Sequence, residues 1–263
     1  MLTLRLAWRN VWRNPRRTGV VVAAVAVGIA GVVFSVALNY GMIVQMVETA
    51  IATELGHIQI HARGFDRNPE IAVRLEDGGR AGAAALDAVA GVRSWTRRVR
   101  GEGLVSSPRA SAGVRIVGIE PEREAAVSLV ARSITDGRYL DGGRRRVLLG
   151  VELAGRLHVG VGDKIVVSVQ DLSGDLTGEA LRVGGLFRTP SSALDRGTIF
   201  MEIGAAQALF GLGDAVSEIV VVTTARSEIP RVQEFLETDL QGTEVRNWGE
   251  LQPVLVYIVD VFD

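Results

Sequence analysis

The sequence predicts an α+β membrane protein: one N-terminal transmembrane helix with a stalk, then an extracytoplasmic domain of two β-α-β units interrupted by a β-rich insert. Three observations predict it. Residues 18–47 carry no charge at all. The order strand, helix, strand occurs twice, over residues 57–105 and again over residues 216–248. Between the two, glycine turns separate short β-prone runs.

The uncharged run fixes the first element. A bilayer core about 30 Å thick needs roughly 20 apolar residues as a helix, and residues 20–38 (VVVAAVAVGIAGVVFSVAL) supply them. The whole uncharged stretch would reach about 45 Å as a helix, more than a membrane requires. The excess after Leu38 is therefore predicted to leave the bilayer as a stalk, giving a span-and-stalk segment over residues 18–55. Within the span, Ala24, Gly28, Gly31 and Ser35 recur on one helical face. Small residues so spaced let helices approach closely in lipid, which makes them the candidate helix-packing positions. An alanine-rich span also contains small residues by composition alone, and the sequence does not separate the two readings.

Residues 1–17 precede the span with Arg5, Arg9, Arg13, Arg16 and Arg17 and no acid among them. Positive charge beside a first span stays in the cytoplasm, which places the main domain outside. The arginines stack on one helical face beside Trp8 and Trp12, a pattern suited to a short helix in the headgroup layer with its arginines toward anionic lipid. Those seven residues are the candidate membrane-interface set. Asn14-Pro15 is expected to break this helix before the span. A cleaved signal peptide, with Ser35-Val36-Ala37 as its processing site, is the alternative. The long amphipathic basic segment, and apolar sequence continuing past that site, favour an uncleaved anchor.

Composition excludes several functions. Net charge is −1 and there is no cysteine, so disulfides and thiolate metal sites are ruled out. With the leading arginines set aside the remainder is net acidic, and no nucleic-acid partner is expected. Lys164 is the one lysine among 29 basic residues, a coding bias that devalues arginine clusters. Arg97-Arg98-Arg100 and Arg144-Arg145-Arg146 are accordingly read as solvated faces.

Along the exported part, helix continues to Leu55 and Gly56 ends it. Residues 57–61 (HIQIH) alternate as a half-buried strand does. Residues 81–90 form a small-residue helix closed by Gly91, and residues 92–105 one or two strands around Trp95. In the second unit, residues 216–224 (VSEIVVVTT) are β-prone. Ser227 caps the next helix, with Val232, Phe235, Leu236 and Leu240 inward, and residues 243–248 make a final strand. Residues 56–105 plus 213–248 thus form an α/β subdomain. The insert, residues 106–212, holds strands at 113–120, 146–149, 164–169 and 179–187 and short helices at 151–157 and 204–210. Residues 249–263 repeat apolar positions at helical spacing and stop in mid-pattern. They read as an exposed terminal helix, or as a second stalk cut before another span.

No chemistry of catalysis emerges. There is no G-x-x-x-x-G-K-[ST] for a phosphate cradle, and Gly160-Val161-Gly162-Asp163 reads as a turn. His57 and His61 share a strand face about 13 Å apart, too far to share a metal. Three histidines and no nucleophile elbow leave no triad. No catalytic residue, cofactor or metal is expected.

Four stretches resemble the permease superfamily of MacB-like, lipoprotein-releasing and FtsX-like ABC transporter subunits. They are LAWRNVWRNPRRT at 6–18, GHIQIH at 56–61, GVELAGRLHVGVGDKI at 150–165, and residues 183–188 together with Asp195 and Ile199-Phe200. They follow the family's order along nearly the whole chain. The resemblance implies an exported domain with an α/β "porter" part and a β-rich "sabre" part, and three further spans downstream. It also implies a permease without enzymatic activity in the bacterial inner membrane. Its partners would be a cytoplasmic ABC ATPase, a second permease subunit and membrane lipid, with a periplasmic carrier or hydrolase as a further candidate. The function implied is export or release of a lipoprotein, lipid or other amphiphile. An FtsX-like regulator of a cell-wall hydrolase, or a singly anchored enzyme or adhesion module, are the alternatives.

Overall fold

The computed structural model describes residue 8 and residues 13–65, 71–143 and 145–253. It divides into two units. The first, among described residues, is the apolar helix as far as Val47, and the second runs from Glu48 to Leu255.

Helix α1 spans Pro15–Ala50 and begins at the predicted break, where the Thr18 N–H reaches the Asn14 carbonyl. A π turn, Ile51–Leu55, extends it. The combined stretch is the one helix among the described residues long and apolar enough to cross a membrane. Over residues 20–38 its valines and isoleucines lie bare, with Val20 70% exposed and Val27 72%, whereas Val47 and Ile51 near its end are buried. In water such a surface would be strongly unfavourable, and in hydrocarbon it is the expected one.

The second unit opens with strand β1 (Ile58–Ala62), helix α2 (Arg80–Ala88) and strand β2 (Val92–Ser106). It closes with β9 (Glu218–Thr223), α7 (Ile229–Asp239), β10 (Thr243–Asn247) and the short α8 (Trp248–Leu251). The two β-α-β units do not stand side by side. They interleave, because β9 lies between β1 and β2, and β1 between β9 and β10, with antiparallel pairing throughout. Each unit leaves a gap that a strand of the other fills, so neither sheet half is complete alone.

Between them lie β3 (Ser111–Ile119), α3 (Pro121–Val127), a 3₁₀ turn (Val130–Ser133), β4 (Ile134–Gly137), β5 (Arg146–Gly150) and α4 (Val151–Leu157). There follow β6 (Lys164–Gln170), β7 (Leu176–Phe187), α5 (Ser192–Gly197), β8 (Thr198–Glu202) and α6 (Ile203–Phe210). Pairing runs β2–β3–β8–β5–β7–β6 and returns to β2 through Leu104↔Ser168, Val105↔Val167 and Ser106↔Val166. This closes a six-stranded barrel. Side chains such as Ile116, Leu149, Ile165, Val167, Leu181 and Met201 fill it at essentially zero exposure, as a barrel this narrow requires.

Strand β2 belongs to both parts. Its residues 92–98 pair with β9 in the sheet, and residues 98–106 pair with β3 in the barrel. The sequence left open one strand or two here. One 15-residue strand is found, and the core is correspondingly continuous from α2 and α7 through to the barrel interior.

Some expectations are corrected. Ser227 does not cap α7: a 3₁₀ turn, Arg226–Glu228, precedes the helix, and Ser227 sits inside it. Phe235 is 39% exposed while Val232 and Leu236 are fully buried, because Ile229, Val232, Leu236 and Leu240 already complete the inward stripe. Helices α3 and α5 and strand β4 were not foreseen. Each is seven residues or fewer, too short to show a period.

Candidate functional site

A helix leaves its last carbonyls without intrahelical donors. At the end of α1 those groups are met from elsewhere in the second unit. The Leu129 N–H donates to the Ala52 carbonyl at 2.9 Å. Arg98 Nη1 donates to the Glu54 carbonyl at 2.7 Å, and Gln59 Nε2 to the Leu55 carbonyl at 2.9 Å. Arg98 also sets a cation at the negative pole of the helix. The chain then turns at Gly56, where φ is +63° and an added Cβ would sit 2.4 Å from Val220 Cγ1. Glycine is required there on both counts.

Arg98 can reach this position because β2 alternates. Arg97 points to the sheet face carrying α2 and α7, where it forks onto Glu120, with Nη2–Oε1 at 2.5 Å. Arg98 and Arg100 project oppositely, toward the π turn and α3. Arg98 holds Glu124 through two parallel bonds, Nε–Oε2 at 3.0 Å and Nη2–Oε1 at 2.7 Å. Its Nη1 is 3.5 Å from Glu218 Oε1. The other Glu218 oxygen accepts from Arg100 Nη1 at 3.1 Å. Arg100 Nη2 in turn reaches Glu54 Oε1 at 2.5 Å, and Arg115 of β3 bonds the same oxygen.

The result is a chain of alternating charge, Glu124–Arg98–Glu218–Arg100–Glu54–Arg115, tying the π turn to β2, β3, α3 and β9. Its inner members are dry: the side chains of Arg98, Glu124 and Glu218 are 4%, 0% and 0% exposed. Burial by itself disfavours the Arg98 charge, but Glu124 and then Glu218 and Glu54 outweigh it and raise its pKa. Burial likewise pushes the Glu218 carboxyl up, and Arg100, His61 and Arg98 together bring it below the usual range. Arg98 and Glu218 are therefore ionised, a state tolerable in the interior only because each has a partner.

The outer end opens into a cleft of about 410 Å³ lined by Glu54, Leu55, Phe65, Arg100, Glu102 and Arg115, among others. His61 stacks on Phe65 with ring centroids 4.4 Å apart, and its Nε2 lies 2.9 Å from Gln59 Oε1. The arrangement can hold and orient a helix end.

The sequence reading of Arg97-Arg98-Arg100 as a solvated face is corrected here. Arg98 is buried, Arg100 largely so, and Arg97 half-buried. Composition argued against them, yet alternation within a strand should have sent one of two adjacent arginines inward. The β9 motif SEIVVV carried the complementary signal: Glu218 interrupts a run buried at every position. Arg145 and Arg146 are exposed as expected. Of the membrane-interface set, Trp8, Arg13, Arg16 and Arg17 are exposed, and Arg5, Arg9 and Trp12 lie outside the described residues. Ala24, Gly28, Gly31 and Ser35 are exposed along α1, with no neighbour within 4 Å of a Cβ added at either glycine. Of the terminal apolar repeat, Leu251 falls in α8, and residues 254–263 lie outside the described residues. His57, at the head of β1, bonds the Thr223 hydroxyl through Nδ1 at 2.7 Å.

The model of the family described as the MacB-like periplasmic core domain matches residues 18–238. Among solved structures, the periplasmic region of MacB from Actinobacillus actinomycetemcomitans aligns with a TM-score of 0.54 at 14% identity, over 81% of this chain and 97% of that one. The extracellular domain of the noncanonic ABC-type transporter YknZ from Gram-positive bacteria aligns at 0.51 and 15% identity, over 73% and 100%. At such identities the likeness is one of fold. No curated protein matches the sequence.

Proposed function

We propose, on the premise that this chain belongs to the family of MacB-like periplasmic core domains, that it works as the permease subunit of an ABC transporter by passing movement through its stalk. The N-terminus lies in the cytoplasm and the second unit outside. A separate cytoplasmic ATPase supplies the energy, a second permease subunit completes the transporter, and this chain hydrolyses nothing. Its cargo is a lipoprotein, lipid or other amphiphile exported or released from the membrane. The observation that carries this reading is the junction at the end of α1. A simple anchor needs only a flexible tether, whereas here three helix-end carbonyls and Glu54 are bonded to β2, β3, the segment after α3 and the start of β1. A displacement of α1 along its axis would therefore reach sheet and barrel together.

The test is purification of the natural protein from its own membranes with partners retained. An ABC ATPase should copurify, and Glu54→Gln should lower ATP-driven transport far more than it lowers assembly. A complex without any ATPase, or ATP hydrolysis by this chain alone, would overturn the reading. A reporter active only outside the cytoplasm, placed after Asp175, should be active. A silent one would sink the topology.

A further inference from the structure

The two ends of the charge chain differ in what each group would lose by letting go. Arg98 cannot leave without stranding Glu124, which is fully buried and pairs with no other cation among the described residues, and that is strongly unfavourable. Glu54 is in another situation. Its side chain is 34% exposed, Arg115 is 45% exposed, and both face the cleft. Were Glu54 to swing away, water would receive its carboxylate. Arg100 would keep Glu218, already at 3.1 Å. Arg115 has a second carboxylate waiting, since Glu102 of β2 stands directly opposite it in the β2–β3 register. Glu102 lines the same cleft, is exposed, and makes no ion pair among the described residues. Directly opposed side chains on antiparallel strands start with Cβ atoms about 4.5–5.5 Å apart, within easy reach for Arg and Glu.

We infer that the Glu54–Arg100–Arg115 contact is a releasable latch on the π turn, and that Glu102 is the alternative seat for Arg115 when it opens. Arg98 is the fixed pivot, holding the Glu54 carbonyl while the Glu54 side chain is free to exchange. The π turn suits such a role, because its hydrogen bond spans one residue more than that of an α-helix and it can tighten without breaking the chain. The inference rests on the coupling reading above for its purpose, but not for its physical content.

Hydrogen exchange of the Ile51–Leu55 amides, measured on the full chain in lipid nanodiscs without any ATPase, tests it. Glu54→Gln removes the latch and should speed exchange there by roughly 3–10-fold, with the barrel strands and α7 unchanged. Glu102→Gln removes the competitor for Arg115 and should slow the same amides by about 2–3-fold, because the open state loses its ion pair. A merely structural Glu54 would give no effect at Glu102. Unchanged or faster exchange in Glu102→Gln overturns the alternative seat. Unchanged exchange in Glu54→Gln, or a rise spread over the whole domain, overturns the latch. If both variants behave as expected while Glu54→Gln transports normally in the complete transporter, the coupling reading fails and the latch stands.

Discussion

The two faces of the four-stranded sheet are built from the same strands by opposite means. Toward α2 and α7 the strands present Ile58, Ile60, Trp95, Val99, Ile219 and Val221, and the helices answer with Ala85, Leu86, Val232 and Leu236. Toward the π turn and α3 they present Gln59, His61, Arg98, Arg100 and Glu218, relieved only by a small cluster of Val127, Val220 and Val222. Apolar contact is non-directional and stabilises whatever brings the surfaces together. Forked arginine bonds hold one geometry and give little net stability once desolvation is counted. One face keeps the domain folded, and the other fixes where the helix end sits upon it.

That contrast can be broken by substitution. Arg98→Ala should have the largest effect, about 3–5 kcal/mol, because it leaves the buried Glu124 carboxylate without a cation and Glu218 with Arg100 alone. Urea unfolding of the full chain in detergent, followed by Trp95 fluorescence, would measure it. Replacing Arg98 with Met and both Glu124 and Glu218 with Leu should restore stability to within about 1 kcal/mol of the native chain. A triple variant as unstable as Arg98→Ala would mean that the charged face is itself a source of stability. On the apolar face Leu236→Ala should cost about 2–4 kcal/mol, with no partial rescue by any polar partner.

Gly56→Ala comes next. Its positive φ and the approach of Val220 Cγ1 should cost about 1–3 kcal/mol. The loss should appear as faster exchange at the π turn before it appears in global unfolding.

Acid should act in two steps. His57 has its pKa lowered, first by burial and then by Arg226 and Arg93. A depressed folded value means that stability is complete above the ordinary value of 6.5 and declines as pH falls below it. Glu218 is likewise lowered, despite burial, chiefly by Arg100. Its contribution is complete above 4.5 and is lost only as pH falls through its lower folded value. Unfolding measured from pH 8 to 3 should therefore weaken in two stages. His57→Gln should erase the first and leave the second, and a single stage in the native chain would count against the separation.

The smallest effect on the domain should come from α1. Gly28→Leu or Gly31→Leu should leave unfolding of the second unit unchanged, since an added side chain meets nothing there. If these positions pack against another transmembrane helix, the same substitutions should abolish transport in the complete protein while Ile29→Leu does not. Equal transport would make the stripe a matter of composition.

What the residues determine locally was legible in the sequence. The uncharged stretch required a long helix, and Gly56 required its end. The spacing in residues 150–165 has a local explanation throughout. Leu153, Ala154 and Leu157 form the buried stripe of α4, and the Asp163 carboxylate accepts the Gly160 N–H to close the turn. Gly150 permits a close approach, since a Cβ there would lie 2.1 Å from the Asp195 carbonyl oxygen. Period, turn chemistry and missing side chains act over a few residues, so they can be read along the chain.

The rest was decided by pairing between distant segments. Nothing in residues 92–106 says that one strand will serve both sheet and barrel, because each half reads as an ordinary strand. The barrel closes only when β6 finds β2, some sixty residues earlier. The charge chain is the clearest case. Glu54, Arg98, Arg115, Glu124 and Glu218 are scattered over 165 positions of sequence. An arginine's environment is set by what the fold places opposite it: the same residue type is solvated at Arg145 and buried at Arg98. Solvation depends on neighbours in space, and only the tertiary structure supplies those.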